Sequence, residues 1–247
     1  MSMAELVGLT VHVDTGRWSE TVLEAVDLVV PEGQITALLG ESGCGKSMVA
    51  AALTGSLPAV AHSTGEVRID GAAVRDRRAW QQLRGNTVGL VPQSGVTAFA
   101  ADKTVGAQLD ELHRRHQAWS VEDACAAAQY PTDVFDLYPH QHSSGQIQRA
   151  ALAAALLPAP DLLVVDEPSA SLDPDTGYEV WVSLRKYATA GAAVLTITHD
   201  GPFLIDTRVA DRMVVMRDGR VVVTGSATEV PALADPYVQG FFRRVGE

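Results

Sequence analysis

With 247 residues, 47% of them hydrophobic and 20% charged, the chain has ordinary globular composition and enough length for one sizeable α/β core. A formal net charge of −11 argues against a nonspecific nucleic-acid binder, because neutralising phosphates needs a basic face and short pairs such as Arg77-Arg78 do not make one. Its 2 cysteines fit neither a disulfide framework nor a metal-ligand spacing, Met1 to Glu5 lacks the basic start of a signal peptide, and Pro158 and Pro160 cut the longest apolar run; a reducing, cytosolic setting without a membrane span is expected.

Leu6 to Val13 alternates loosely before Asp14-Thr15-Gly16, and Ala25 to Val30 runs into Pro31-Glu32-Gly33, which predicts two strands closed by turns. Gln34 to Leu39 is apolar enough for a buried strand, and Ser47 to Leu53 starts a helix. Between them Gly40-Glu41-Ser42-Gly43-Cys44-Gly45-Lys46-Ser47 fits the phosphate-loop pattern G-x-x-x-x-G-K-[ST], in the strand, loop and helix context that gives the pattern its meaning. Glu66 to Asp70 reads as a polar-alternating strand closing on Asp70-Gly71, so a small antiparallel sheet is expected beside a parallel one. Thr87 to Val91 is a strand leading to Pro92-Gln93. From there to about Pro158 no strand pattern appears: Val105, Leu109 and Leu112 mark an amphipathic helix and Ser120 to Asp123 caps another, which predicts a helical insert.

Leu162 to Val165 is apolar on both faces, as a central parallel strand should be, and ends in Asp166-Glu167. Asp173-Pro174 opens a helix running to about Ala190, and Ala193 to Thr198 is a strand ending at His199-Asp200. Met213 to Met216, a turn at Asp218-Gly219 and Val221 to Val223 predict a hairpin before a last short helix. The alternation predicts a three-layer α/β sheet with its ligand at the strand C-termini. We expect one domain over 1–247, with a core and its antiparallel part in 1–92 and 159–247 and a helical subdomain in 93–158.

A glycine-rich loop between strand and helix aims several backbone N–H groups and the positive end of the helix dipole at one spot, which suits a triphosphate. Lys46 would reach the outer phosphates and the Ser47 hydroxyl would ligate Mg²⁺, while Gly43 and Gly45 let the backbone wrap closely. Acidic residues after a strand often only open a turn; beside a phosphate loop, Asp166 can hold Mg²⁺ through its water shell and Glu167 can align the attacking water. His199 would share that edge and could donate to the γ-phosphate, although a lone loop histidine more commonly faces solvent. Gln93 has a similar plain reading as a loop polar residue. Ser143 with Gln146 is a complete capping box, yet a helix start rich in small donors, Ser143-Ser144-Gly145-Gln146, is also an anion site.

Together these residues resemble the ATP-binding cassette (ABC) ATPases over nearly the whole chain. In that resemblance Gly40 to Ser47 is Walker A, Gln93 the Q-loop residue and a Mg²⁺ contact, His142 to Gln146 the signature, Leu162 to Asp166 Walker B, Glu167 the general base, Ser171-Leu172-Asp173 the D-loop and His199 the switch histidine. It implies a RecA-like P-loop NTPase core and hydrolysis of ATP with Mg²⁺ by two subunits head to tail, each covering the other's ATP with its signature. It also implies integral membrane permease partners at the cytoplasmic face of the cell membrane, where the subunit is peripheral. Gly40-Glu41-Ser42-Gly43 and Tyr138-Pro139-His140 look like the peptide/nickel importer branch, which implies a substrate-binding protein and import of peptides, nickel or metal chelates.

The chain departs from the family at several points. The signature L-S-G-G-Q reads H-S-S-G-Q, with His142 for Leu and Ser144 for the first Gly, and the long C-terminal extension of the oligopeptide members is not seen. The aromatic that stacks on adenine has no clear match; Trp18 is the nearest candidate, its alternative being a partly buried strand-turn aromatic. Ser144 favours a heterodimer with a different ATPase over a homodimer. The rival readings are a soluble ABC ATPase in an assembly or repair machine, an exporter subunit with a separate permease, and a non-hydrolysing regulatory subunit; Lys46, Asp166, Glu167 and His199 disfavour the last.

Overall fold

The computed structural model describes residues 1–243, folded around two sheets. The smaller sheet contains β1 (Ser2–Asp14), β2 (Ser19–Pro31), β4 (Ala61–Ile69) and β5 (Ala72–Ala73) in the order β2-β1-β4-β5, all antiparallel. The larger contains β3 (Ile35–Gly40), β6 (Val88–Val91), β7 (Leu162–Asp166), β8 (Ala193–Ile197), β9 (Arg212–Arg217) and β10 (Arg220–Ser226) in the order β10-β9-β3-β8-β7-β6. Strands β9, β3, β8, β7 and β6 are parallel, and β10 closes one edge antiparallel to β9. The hairpin expected from the sequence is therefore the end of the main sheet.

β1 and β2 run well past the alternating stretches that announce them. The register between them shifts around Leu6, Leu9 and Val11, where Gly8 and Ala25 take positive φ of 54° and 48°. A bulge moves the following side chains to the other face, so alternation stops although the ladder continues.

Helix α1 (Lys46–Leu53) lies between the two sheets, which explains its small residues. Val49, Ala50, Ala52 and Leu53 are buried in a cluster with Leu38 and Val164 of the main sheet and Leu6, Val26 and Leu28 of the antiparallel one. Two short helices have no precursor in the sequence reading. In α2 (Arg77–Leu83) no residue is buried, so no apolar period could reveal it, and the Asp76 carboxylate caps it by accepting from Ala79 N.

The insert supplies α3 (Val105–His116), α4 (Val121–Ala127) and α5 (Ser144–Leu156), capped by Thr104, Ser120 and Ser143. With α6 (Pro174–Thr189) they cover the other face of the main sheet: Val105, Leu109, Leu152, Leu156, Val180, Trp181 and Leu184 share one buried cluster with Leu39, Leu163 and Val194. The second helix without a sequence signal is α7 (Gly201–Thr207), again too short for a period and capped by Asp200 through Phe203 N. α8 (Pro236–Gly240) follows the hairpin. Among the described residues no helix is long and apolar enough to cross a membrane.

Register brings the strand ends to one edge. Leu38 and Asp166 both pair with Ile197, and Val91 pairs with Val165. Each parallel strand therefore releases its loop on the same side: Gly40 after Leu39, Gln93 after Pro92, Glu167 after Asp166 and His199 after Thr198. The open crevice beyond strand C-termini is where doubly wound sheets bind ligands.

Candidate active site

The loop from Gly40 to Ser47 is shaped by glycine where shape demands it. Gly43 and Gly45 have φ of 83° and 106°, in the region L side chains avoid, and a Cβ on Gly45 would lie 2.7 Å from Leu23 Cδ2 and 3.0 Å from the Val22 carbonyl. Gly45 is also the N-cap of α1 and offers no side-chain cap, so the helix start presents bare N–H donors. Lys46 Nζ donates to the carbonyls of Gly40, at 2.7 Å, and Glu41, at 2.8 Å, and so bridges the loop with its charge at the centre. Beneath the loop Cys44 is buried, its thiol pushed up chiefly by that burial and its Sγ 3.9 Å from Lys46 Nζ. Cys44 thus packs under the loop and Glu41 faces solvent; neither side chain belongs to the cavity wall.

That wall encloses about 510 Å³ and is formed by Gly40, Ser42, Gly43, Gly45, Lys46 and Ser47 together with Gln93, Asp166, Glu167 and His199. Ser47 Oγ donates to Asp166 Oδ2 at 3.4 Å. Asp166 is only 8% exposed; burial, and then the neighbouring Glu167 charge, hold its carboxyl above its ordinary value, while Ser47 and Lys46 pull the other way. A buried carboxylate with a hydroxyl and a second carboxylate nearby is a hard oxygen donor set short of positive charge, the chemistry that Mg²⁺ satisfies.

Glu167 sits in a tightly determined backbone, with φ of 57° and its N–H bonded to the Ile197 carbonyl at 2.9 Å. Its Oε1 lies 2.8 Å from His199 Nδ1. The carboxylate is mostly covered and the imidazole mostly open, so the pair points from the sheet edge toward solvent.

The structure leaves the other sequence-derived residues outside this cavity. Ser143 and Gln146 form a reciprocal capping box, at 3.2 Å from Gln146 N to Ser143 Oγ and 3.0 Å from Ser143 N to Gln146 Oε1. Ser144 begins α5 and is exposed. A Cβ on Gly145 would lie 2.9 Å from both the Ser171 carbonyl and Leu172, so the helix start is pressed onto the loop that precedes α6 in the same chain. Asp173 caps α6 by accepting from Thr176 N at 3.0 Å. Trp18 stands in the turn between β1 and β2, 49% exposed, and is not part of the wall.

Other contributors carry no motif. Val22, Met48, Ala170 and Ile197 line the cavity as apolar residues of common type. Gln148, 5% exposed in α5, donates to the Pro92 carbonyl at 2.9 Å just before Gln93, and a Cβ on Gly95 would come within 2.5 Å of the Ile147 carbonyl. A polar side chain in an apolar helical run was the available signal for Gln148.

Residues 23–170 match the ABC transporter family. The metal-staphylopine import system ATP-binding protein CntD of Staphylococcus aureus is 29% identical over 231 residues, covering 87% of this chain and 84% of that one. The oligopeptide transport ATP-binding protein OppD of Mycobacterium tuberculosis is 32% identical over 243 residues, covering 92% of this chain and 39% of that longer protein. Among solved structures, a dimeric ATP-binding cassette in a post-hydrolysis state with ADP and Pi bound superposes with a TM-score of 0.78 at 26% identity, over 91% of this chain and 99% of that one. With the phosphate loop, the paired carboxylates and the histidine at one sheet edge, the chain belongs to the ABC transporter family, as an ATP-hydrolysing ATP-binding subunit.

Proposed function

We propose that this chain energises import of a peptide or a metal chelate through integral membrane permease subunits, docked peripherally at the cytoplasmic face of the membrane and supplied by a substrate-binding protein. The import reading and its cargo rest on the relatives named for metal-staphylopine import and oligopeptide transport. One observation carries the mechanism: Lys46, Ser47, Asp166, Glu167 and His199 share one cavity while Ser143 to Gln146 stand outside it. A site so divided within one chain is completed by a second subunit.

In this reading the α1 start and Lys46 hold the triphosphate, and Glu167 orients the attacking water with His199 as its partner. Ser47, Asp166 and Gln93 would hold Mg²⁺, which when bound neutralises charge on the phosphates. The loop from Gln93 continues along a groove of about 690 Å³ lined by Leu90, Pro92, Ala98, Leu112, Ala151 and Ala155, with Arg84 and Arg115 beside it. This groove adjoins both the cavity loop and α5, so it suits a permease segment that must sense nucleotide. Trp18 remains our candidate for the adenine contact.

Ser144 supports a heterodimer. Its exposed hydroxyl stands at the first residue of α5, where a second subunit's γ-phosphate would approach and where the family pattern has glycine. Purifying the assembled complex and comparing hydrolysis before and after Ser144→Gly tests the proposal. Two different ATPase chains and a faster Ser144→Gly variant support it. A single ATPase species with unchanged turnover removes the heterodimer, and full activity of the isolated subunit with no membrane partner removes the coupling.

A further inference from the structure

We infer that His142 is a positioning residue for the first turn of α5, holding it by hydrogen bonds where the family pattern uses an apolar contact. His142 precedes the N-cap Ser143, at the position whose side chain commonly packs against the fourth helical residue, here Ile147, and so sets the direction in which the helix starts. Its imidazole does something different. Nδ1 lies 3.0 Å from the Tyr138 carbonyl and Nε2 lies 2.8 Å from the Tyr130 hydroxyl. A carbonyl only accepts, so Nδ1 carries a proton, and in that tautomer of the neutral ring Nε2 accepts from the Tyr130 hydroxyl.

Both partners are themselves anchored. Tyr130 is 3% exposed and stacks on Phe135 at 5.7 Å between ring centroids. Tyr138 N donates to Gln141 Oε1 at 2.8 Å across the short turn that precedes His142. His142 therefore ties the start of α5 to both ends of the segment that joins α4 to α5. On its far side Gly145 is pressed onto Ser171 and Leu172. Held from both sides, the first turn of α5 is fixed with Ser144 exposed at its start. The inference rests on the reading that this turn closes ATP bound to another subunit.

The role of a positioning residue is read as a loss of kcat without a loss of ATP affinity. In the assembled transporter, His142→Leu and Tyr130→Phe are each expected to lower kcat by roughly tenfold, the effect of losing about one net hydrogen bond, with KM and the isolated subunit's ATP affinity within about twofold. The double variant restores an apolar contact and leaves no buried hydroxyl unpaired. It is expected to recover most of the parent kcat, less than threefold below it. Parent kcat in both single variants, or a double variant at the product of the two losses, overturns the inference. If His142→Leu does not fold, Tyr130→Phe alone decides by the same split. Ser144→Glu in the same complex separates the two readings: if it keeps parent turnover, the closure reading fails; if it stops turnover while His142→Leu and Tyr130→Phe do not, only the positioning role falls.

Discussion

His199 Nδ1 and Glu167 Oε1 form a hydrogen bond of 2.8 Å across the loops that follow β8 and β7, joining two residues 32 positions apart into one unit at the cavity. An ionised carboxylate only accepts, so Nδ1 carries the proton. A neutral ring held this way offers Nε2 as an acceptor, and donation to a phosphate requires the imidazolium. Glu167→Gln in the assembled transporter is expected to keep ATP affinity and lower kcat by ~10²–10⁴, the usual worth of a positioned acid–base group. Parent-rate hydrolysis would remove Glu167 from the mechanism.

Lys46 bridges the Gly40 and Glu41 carbonyls with its ammonium at the middle of the loop. Lys46→Ala removes the charge that outer phosphates would meet. Calorimetric titration with a non-hydrolysable ATP analogue should show affinity at least ~10-fold weaker, in line with about 1.5–3 kcal/mol for a charge-assisted hydrogen bond. Unchanged affinity would mean that Lys46 braces the loop only.

Asp166 makes the site a cost to stability. Its carboxyl is held above its ordinary value by burial and then by Glu167, so the folded chain binds the proton more tightly than the unfolded chain does. Stability from this group is therefore greatest below the unfolded value and declines as pH rises through the window up to the folded one. Above that window Asp166→Asn is expected to raise the melting temperature without Mg²⁺ or nucleotide by ~2–4 °C, as for about 1 kcal/mol in a chain of this size, and the gain should shrink as the pH is lowered. Differential scanning calorimetry from neutral to acid pH checks both statements, and a lower melting temperature at neutral pH contradicts the argument.

Gln148 links α5 to the segment carrying Gln93 through the Pro92 carbonyl. Gln148→Leu leaves that carbonyl without its partner, at a cost of about 1–3 kcal/mol, and leaves the loop tied to the helix by the Gly95 contact with Ile147. Reconstituted vesicles are expected to show fewer substrate molecules moved per ATP while nucleotide binding stays at the parent level. An unchanged ratio would reduce Gln148 to a packing residue.

Local signals were enough for much of this protein. Gly40 to Ser47 declares itself because a phosphate loop needs glycine at particular backbone angles and a lysine and hydroxyl at fixed spacing. β7 and β8 declare themselves because a strand buried on both faces must be apolar throughout, α3 because Val105, Leu109 and Leu112 recur at helical spacing, and α4 and α5 because their caps are written beside them. Only the tertiary structure decided what lies between distant segments. The shared cavity depends on Leu38 and Asp166 both pairing with Ile197, a register no local pattern encodes. The seat of Gly145 on Ser171, the bond from Gln148 to Pro92 and the hold of Tyr130 on His142 likewise join residues whose proximity comes from packing. The short helices α2 and α7 stayed hidden for a related reason: at this length a cap and neighbouring contacts make the helix, and too few turns exist for an apolar period to form.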